Sequence, residues 1–400
     1  MIGLACGRCK EGAQCEPVNL LARGAGCCRR TEAGYNRPKR RQFSAVLPIT
    51  SRRMDSELPV QIVVLDGYTL NPGDNPWDPV RALGELTVYD RTPAPQIVER
   101  VGAAQIVLTN KTPLDGPILA ALAGLRFISV LATGYNVVDV ASARRQGILV
   151  SNVPEYGTDS VAQHVIALLL ALVHRPERHD RLVRQGDWQR RGDFCFWDAP
   201  LMELAGKRMG IVGFGRIGRR VGQLAHALGM EVLAYDPLAG EKETGSFCRN
   251  GPSGAWHKRC LSPFPPTIQP FAWRSLDALF AEADVISLHC PLDADNQGMV
   301  NRARLATMKP TALLINTSRG GLVNEQDLAD ALNEGRIAGA AVDVLSQEPA
   351  AADNPLLAAK NCLITPHIAW ATLEARRRLM AVTARNIAAF LQGEPINVVN

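Results

Sequence analysis

Three residues in the second half of the sequence have side chains that can move protons and hold anions. Arg319 lies in NTSRGGLV, Glu348 in VLSQEPA and His367 in LITPHIAW, and each follows an apolar run typical of a buried strand. Open α/β sheets bind their ligands beyond the carboxyl ends of their strands, so the three are predicted to share one site. Taken singly, each would more often be an ordinary loop or surface residue.

A second set of residues predicts what the site works with. The segment KRMGIVGFGRIGRRVGQLAHALGMEVLAYDP places Gly213, Gly215 and Gly218 between an apolar run and a helical pattern, and Asp236 ends the next run. This spacing is typical of a dinucleotide-binding turn, in which the helix N-terminus receives the phosphates. An acid at Asp236 can bind the ribose hydroxyls and would repel a 2′-phosphate, so NAD is favoured over NADP. The alternative is a close-packed strand–helix turn without a ligand.

The elements that would position these residues alternate regularly. Apolar runs cover residues 60–66, 85–90, 104–110, 126–132 and 148–150 in the first half. Further runs at residues 285–290, 312–317, 338–344 and 362–365 follow the glycine turn. Short buried strands separated by helices indicate parallel sheets covered on both faces. We therefore expect two α/β domains, the second a doubly wound Rossmann domain, and a last helix over residues 373–391.

Composition argues against several other classes of protein. The 400 residues are 46% apolar and 21% charged, and the net charge of +5 combines +8 in residues 1–53 with −3 in the rest. The predicted folded part is therefore slightly acidic, which gives no argument for nucleic acid binding. The most apolar segment, residues 161–173, is too short to span a membrane. Scattered cysteines favour a reducing, cytoplasmic location.

Two segments break the pattern. Residues 1–57 form an N-terminal extension for which three interpretations stay open: a disordered arm, an organelle-targeting peptide, or an upstream extension that is not translated in the cell. Its Cys6 and Cys9 could form half of a zinc site, but no second pair follows, and no metal is predicted. Residues 240–273 contain five prolines and no usable period, so they are interpreted as an insertion or a disordered loop.

These motifs together resemble the D-isomer-specific 2-hydroxyacid dehydrogenase family. The resemblance runs from about residue 60 to residue 397 and includes GFGRIG, YDP, HCPL, NTSRGG, AVDV, QEP and PHIA. Sub-patterns such as LATGYNVVD and NVPEYGTDSVAQH are most similar to the glycerate dehydrogenase and hydroxypyruvate reductase branch. The resemblance implies hydride transfer between NADH and a small 2-oxoacid such as hydroxypyruvate or glyoxylate.

The resemblance also implies a role for each candidate residue. His367 would be the general acid/base, Glu348 would pair with its ring, and Arg319 would hold the substrate carboxylate and polarise the carbonyl. Backbone donors for the same carboxylate would come from Ala132, Thr133 and Gly134. The residues implied in cofactor binding are Gly213, Gly215, Arg216, Ile217, Gly218, Asp236, Cys290, Pro291, Asn296, Thr317 and Asp343.

The fold implied by the resemblance has a flavodoxin-like substrate domain, residues 58–155 and 366–400, and a Rossmann NAD-binding domain, residues 156–365. Members usually pair through their nucleotide domains, so a homodimer is expected. Two alternative functions remain open at this point. One is an NADH-sensing module similar to the C-terminal-binding-protein corepressors, and the other is a dehydrogenase for a different 2-hydroxyacid such as D-lactate.

Overall fold

A computed structural model of the protein describes residues 59–237 and 271–400. The predicted N-terminal extension and residues 240–270 of the predicted insertion lie outside the described residues. The described chain forms one parallel sheet of five strands and another of seven, with helices between the strands. This arrangement confirms the expected fold class.

The first sheet is built from short apolar strands, two of which are buried along their whole length. The strands are β1 (Gln61–Val64), β2 (Glu85–Val88), β3 (Ile106–Thr109), β4 (Phe127–Val130) and β5 (Leu149–Ser151). Their order in the sheet is β2-β1-β3-β4-β5, all parallel, which is the flavodoxin-like order. The connecting helices are α1 (Asp78–Arg81), α2 (Ile97–Val101), α3 (Gly116–Ala121) and α4 (Val140–Arg145).

Three helices precede the second sheet: α5 (Thr158–His174), α6 (Pro176–Arg184) and α7 (Asp187–Arg191). The apolar side of α5, including Val165 and Leu169, packs against Ile211 and Ile315 of the second sheet. The sequence pattern predicts helices over residues 159–173 and 176–185, which correspond to α5 and α6, and it does not predict the short α7. Within the described ranges, no helix combines the length and the apolar character needed to cross a bilayer.

The second sheet has the doubly wound order. Its strands are β6 (Arg208–Val212), β7 (Glu231–Tyr235), β8 (Phe271–Trp273), β9 (Val285–Leu288), β10 (Leu313–Asn316), β11 (Gly339–Val342) and β12 (Cys362–Ile364). They lie parallel in the order β12-β11-β10-β9-β6-β7-β8, so the order reverses between β6 and β9. The helices between them are α8 (Arg216–Ala227), α9 (Leu276–Glu282), α10 (Arg302–Leu305) and α11 (Glu325–Asn333). A ligand site is expected beside this reversal.

The predicted insertion extends too far at its C-terminal end. Residues 271–273 were included in it, but they form β8, which pairs with β7 through Val232↔Phe271 and Ala234↔Trp273. The ring of Phe214 packs against Phe271 and Trp273 at centroid distances of 5.0 and 5.6 Å. Aromatic packing therefore stabilises this edge strand. The proline-rich sequence before it gave no indication of a strand.

The last helix, α12 (Leu373–Leu391), returns to the first sheet. Its Leu379 and Ile387 are buried in the core that also contains Phe127 of β4. Phe390 stacks on Phe127, with centroids 4.5 Å apart and planes 11° from parallel. The chain then ends beside β5, where Val399 N donates to Val150 O at 2.8 Å.

We propose domain boundaries at 155/156 and 365/366, as the family resemblance implies.

Shortening Leu379 tests the docking of α12 on the first sheet. The Leu379 side chain is fully buried, so Leu379→Ala should lower the free energy of unfolding by ~2–5 kcal/mol through lost burial and a residual cavity. The exposed Arg385 of the same helix is the control, and Arg385→Ala should change it by less than ~0.5 kcal/mol. Urea unfolding followed by circular dichroism measures both. Equal, small effects would contradict the docking.

Candidate active site

A cavity of about 560 Å³ lies between loops that follow strands of both sheets. The first sheet contributes residues after β3, β4 and β5, and the second contributes residues after β6, β9, β10, β11 and β12. The predicted catalytic residues Arg319, Glu348 and His367 all line this cavity, as does the predicted substrate-binding segment 132–134. Residues that are far apart in sequence are therefore brought together at the strand ends.

The predicted phosphate-binding turn joins β6 to α8. Gly213 has a φ of +92°, and a Cβ atom there would lie 2.5 Å from the backbone nitrogen of Cys290. At Gly218, a Cβ atom would lie 2.2 Å from Gly213 O, so only glycine allows the helix to start so close to the strand. Gly215 and the two residues after it line the cavity, and α8 has no side-chain N-cap. The first N–H groups of α8 are therefore available to an anion.

Four of the predicted cofactor residues do not line the cavity: Gly213 and Gly218 of the turn, and Asp236 and Asn296. Asp236 Oδ2 accepts a hydrogen bond from Phe214 N at 3.0 Å, which ties the end of β7 to the glycine turn. Asn296 uses both ends of its amide inside its own loop: Nδ2 donates to Pro291 O at 2.8 Å and Oδ1 accepts from Asp293 N at 2.9 Å. Asn296 thus shapes the loop that presents Pro291.

Three further predicted cofactor residues, Cys290, Pro291 and Thr317, do line the cavity. The Cys290 thiol is buried, which raises its pKa to about 11 and keeps it neutral. Thr317 Oγ1 is buried and has no hydrogen-bond partner within the described chain. A buried hydroxyl without a partner is costly, so a bound polar group would stabilise this position.

His367 and Glu348 form the pair that the sequence predicted. Nδ1 of His367 lies 2.6 Å from Oε2 of Glu348, and the other carboxylate oxygen accepts from Leu345 N at 3.1 Å. Burial would raise the pKa of Glu348, but the hydrogen bond and charge of His367, aided by the charge of Lys111, lower it below its ordinary value. Glu348 is therefore held ionised, and Nδ1 of His367 is occupied, so Nε2 is the ring nitrogen left for a substrate.

Asp343, a predicted cofactor residue, borders the cavity but is engaged in the loop that carries His367. Its Oδ1 accepts from Ile368 N at 2.8 Å and from Thr365 Oγ1 at 2.6 Å, and its Oδ2 accepts from Ala369 N at 2.9 Å. His367 N donates to the backbone oxygen of Asp343 at 2.8 Å. The carboxylate thus anchors the loop, and direct contact with a cofactor stays a prediction.

Arg319 meets the first domain at Gly134. A Cβ atom at Gly134 would lie 2.5 Å from Nη2 of Arg319, so the guanidinium rests directly on the glycine backbone. The Thr133 hydroxyl donates to Val153 O at 2.9 Å, and Thr133 O accepts from Asn152 Nδ2 at 2.7 Å. The backbone N–H groups of Thr133 and Gly134 donate to no described residue. Cation and amide donors therefore lie together on one wall of the cavity.

Several lining residues were not predicted as site residues. They include Lys111, which follows β3, as well as Glu155 and Tyr156 after β5 and His289 after β9. Burial lowers the pKa of His289 to about 3, so its ring is neutral and is bonded to Ser287 Oγ at 2.8 Å. The strand-end rule used for the second sheet would have found Lys111 and Tyr156 if it had been applied to the first.

Trp370, three residues after His367, also lines the cavity. Its ring meets Tyr156 edge-on at a centroid distance of 6.2 Å, and burial raises the pKa of the Tyr156 hydroxyl. The two aromatic rings therefore form an uncharged wall beside Arg319.

The chain is similar to known proteins over most of its length. A family model described as D-isomer specific 2-hydroxyacid dehydrogenase, NAD binding domain, matches residues 166–250 and 261–369. A hydroxypyruvate reductase of Blautia hydrogenotrophica is 48% identical over 344 residues, 85% of this chain and 100% of the relative. A glycerate dehydrogenase of Methylorubrum extorquens is 38% identical over 318 residues, 79% of this chain and 92% of the relative.

A solved structure shows the same likeness in three dimensions. An NADPH-dependent glyoxylate/hydroxypyruvate reductase from Sinorhizobium meliloti, in complex with NADP and malonate, is 26% identical with a TM-score of 0.67. The match covers 85% of this chain and 96% of that one.

Replacing Asp343 tests its role as the anchor of the His367 loop. In Asp343→Asn, the side chain keeps one acceptor oxygen, so at least one of the two amide donors, Ile368 or Ala369, loses its partner. Hydrogen bonds to charged groups contribute ~1.5–3 kcal/mol, so exchange of these amides should accelerate ~10–100-fold. Hydrogen exchange with mass spectrometry measures this, and Asp90→Asn at an exposed position is the control. Unchanged exchange of the two amides would contradict the assignment.

Proposed function

The chain belongs to the D-isomer specific 2-hydroxyacid dehydrogenase family, and we propose that it interconverts hydroxypyruvate and D-glycerate with NAD(H) as cofactor. The family resemblance predicted from the motifs is confirmed, and the protein is therefore an oxidoreductase acting on the CH–OH group of a 2-hydroxyacid. The choice of substrate is supported by similar proteins named hydroxypyruvate reductase, glycerate dehydrogenase and glyoxylate reductase.

One observation carries the proposal: Arg319 and the His367–Glu348 pair share a cavity with the start of α8. A 2-oxoacid has a carboxylate next to a carbonyl, so it needs a cation and a proton donor within a few ångströms of each other. A dinucleotide needs free backbone N–H groups at a helix N-terminus. The same cavity offers all of these.

The substrate carboxylate is bound on the Arg319 side of the cavity. The guanidinium and the free N–H groups of Thr133 and Gly134 provide donors whose planar geometry suits a carboxylate. The carbonyl oxygen then points towards His367. Because Arg319 comes from the second domain and Thr133 from the first, substrate binding links the two domains and excludes water from the reacting atoms.

His367 is the general acid/base of the proposed reaction. In the reduction direction its Nε2–H gives a proton to the carbonyl oxygen, and in the oxidation direction Nε2 takes the proton from the hydroxyl. Glu348 fixes the orientation of the ring through Nδ1. Bound NADH would supply the hydride that the carbonyl carbon accepts.

The residues present fit a dinucleotide. The first N–H groups of α8 would hold the pyrophosphate, and the unpartnered Thr317 hydroxyl would bond to the nicotinamide half. Asp236 directly follows β7 and would accept hydrogen bonds from the adenosine ribose. A carboxylate there repels a 2′-phosphate, which supports NAD over NADP even though a solved relative is NADPH-dependent.

The proposal also covers the oligomeric state and the cellular location of the enzyme. A homodimer is proposed from the family resemblance, and a cytoplasmic location from the scattered cysteines of the sequence.

Turnover by the full chain tests the proposed function. NADH oxidation should be fastest with hydroxypyruvate, slower with glyoxylate and slowest with pyruvate, and NADPH should give a lower kcat/KM than NADH with each. His367→Ala should reduce kcat ~10²–10⁴-fold because the proton donor is lost.

The exposed His174 at the end of α5 provides the matched control, and His174→Ala should leave kcat unchanged. Preference for NADPH would contradict the cofactor proposal. Full activity of the His367→Ala variant would contradict the assignment of the acid/base.

A further inference from the structure

The loop after β3 lies at the edge of the cavity and is fixed by hydrogen bonds to Asp66. The Asp66 carboxylate accepts hydrogen bonds from three consecutive backbone N–H groups, those of Asn110, Lys111 and Thr112, at 2.7, 2.6 and 2.7 Å. It also accepts from Thr112 Oγ1 at 3.0 Å, while Asn110 Nδ2 donates to Thr69 Oγ1 at 2.9 Å. The backbone at Lys111 is therefore fixed, and its neighbours Asn110 and Thr112 are buried.

Lys111 differs from its neighbours because its side chain is exposed and lines the cavity. Its ammonium group forms no hydrogen bond or ion pair with any residue of the described chain. Asp66, the nearest acid in the loop contacts, is already occupied by backbone donors. The backbone of Lys111 is fixed by hydrogen bonds, so its side chain can reach only the part of the cavity next to this loop.

The position of Lys111 relative to the substrate follows from the sheet. β3 and β4 are neighbours and parallel, and Leu131 N donates to Thr109 O at 2.8 Å where the two strands end. The loop of Lys111 is thus adjacent to the loop of Thr133 and Gly134, which would bind the carboxylate. Lys111 also lines the same cavity as Glu348 and His367.

We propose that Lys111 determines specificity by donating a hydrogen bond to an oxygen on C3 of the substrate. The inference rests on the proposed function, because it assumes that a 2-oxoacid is bound with its carboxylate at Arg319 and its carbonyl at His367. C3 is then the remaining end of the molecule, and Lys111 is the only cation that the described first domain contributes to the cavity lining. The favoured substrates have a C3 hydroxyl, as hydroxypyruvate and D-glycerate have.

The chemistry of an ammonium explains the selection. A filled cavity removes water from Lys111, and an ammonium without a partner is costly to desolvate. The hydroxyl of hydroxypyruvate accepts a hydrogen bond, the methyl of pyruvate cannot, and glyoxylate has no C3.

Substitution of Lys111 in the full chain tests the proposal with three substrates. Lys111→Met keeps the length of the side chain and removes the charge, and it should lower kcat/KM for hydroxypyruvate ~10–100-fold, as expected for a lost hydrogen bond to a charged group. The kcat/KM for pyruvate and for glyoxylate should change less than ~3-fold. Lys111→Arg should recover part of the hydroxypyruvate activity because it keeps the charge.

The control is Lys360→Met, which makes the same change in net charge at an exposed position outside the cavity lining. It should leave all three values unchanged. Equal losses for all three substrates in Lys111→Met would overturn the proposal in favour of a general electrostatic effect, and no loss would overturn it outright.

Binding separates failure of this proposal from failure of the proposed function. Calorimetry of the full chain with NAD present should show tighter binding of D-glycerate than of D-lactate, and Lys111→Met should abolish the difference. Absence of turnover in the wild-type protein would refute the proposed function alone. A wild-type protein that binds the two hydroxyacids equally, or a variant that keeps the preference, would overturn the role of Lys111.

Discussion

The carboxylate of Asp343 anchors the loop that carries His367, and the geometry of the site depends on it. This side chain is fully excluded from solvent, a costly state for a charge unless hydrogen bonds replace its water. Two backbone N–H groups and the Thr365 hydroxyl supply those bonds. His367 lies among these contacts with a φ of +55°, a left-handed conformation that costs a non-glycine residue ~1–3 kcal/mol. The anchored loop holds the histidine where Glu348 reaches Nδ1.

Parallel sheets explain how the remaining groups reach the same cavity. Every strand of each sheet delivers its following loop to one edge, and two such edges face each other across the cavity. The first sheet brings an anchored lysine and a loop with free N–H groups, and the second brings a cation, an acid–histidine pair and a helix N-terminus. The close approach of Arg319 to Gly134 shows why a glycine is required where the two edges meet.

The sequence was sufficient for the parts that depend on local patterns. Buried strands and the glycine turn follow from apolar runs and glycine spacing, so both sheets could be predicted. The Glu348–His367 pair was predicted only through the family resemblance. The proline-rich context concealed β8, because its stability comes from aromatic contacts with Phe214 that are formed only in the fold. The anchoring role of Asp343 depends on contacts across more than twenty residues, which spacing does not reveal.

The central claim is that a 2-oxoacid binds between Arg319 and His367 with a defined orientation. A crystal structure of the protein with NAD and oxamate, an unreactive analogue with a carboxylate beside a carbonyl, measures this directly. The predicted result is the carboxylate within hydrogen-bond distance of Arg319 and of the N–H groups of Thr133 and Gly134, with the amide oxygen near Nε2 of His367. Oxamate bound in the reverse orientation, or outside this cavity, would contradict the account.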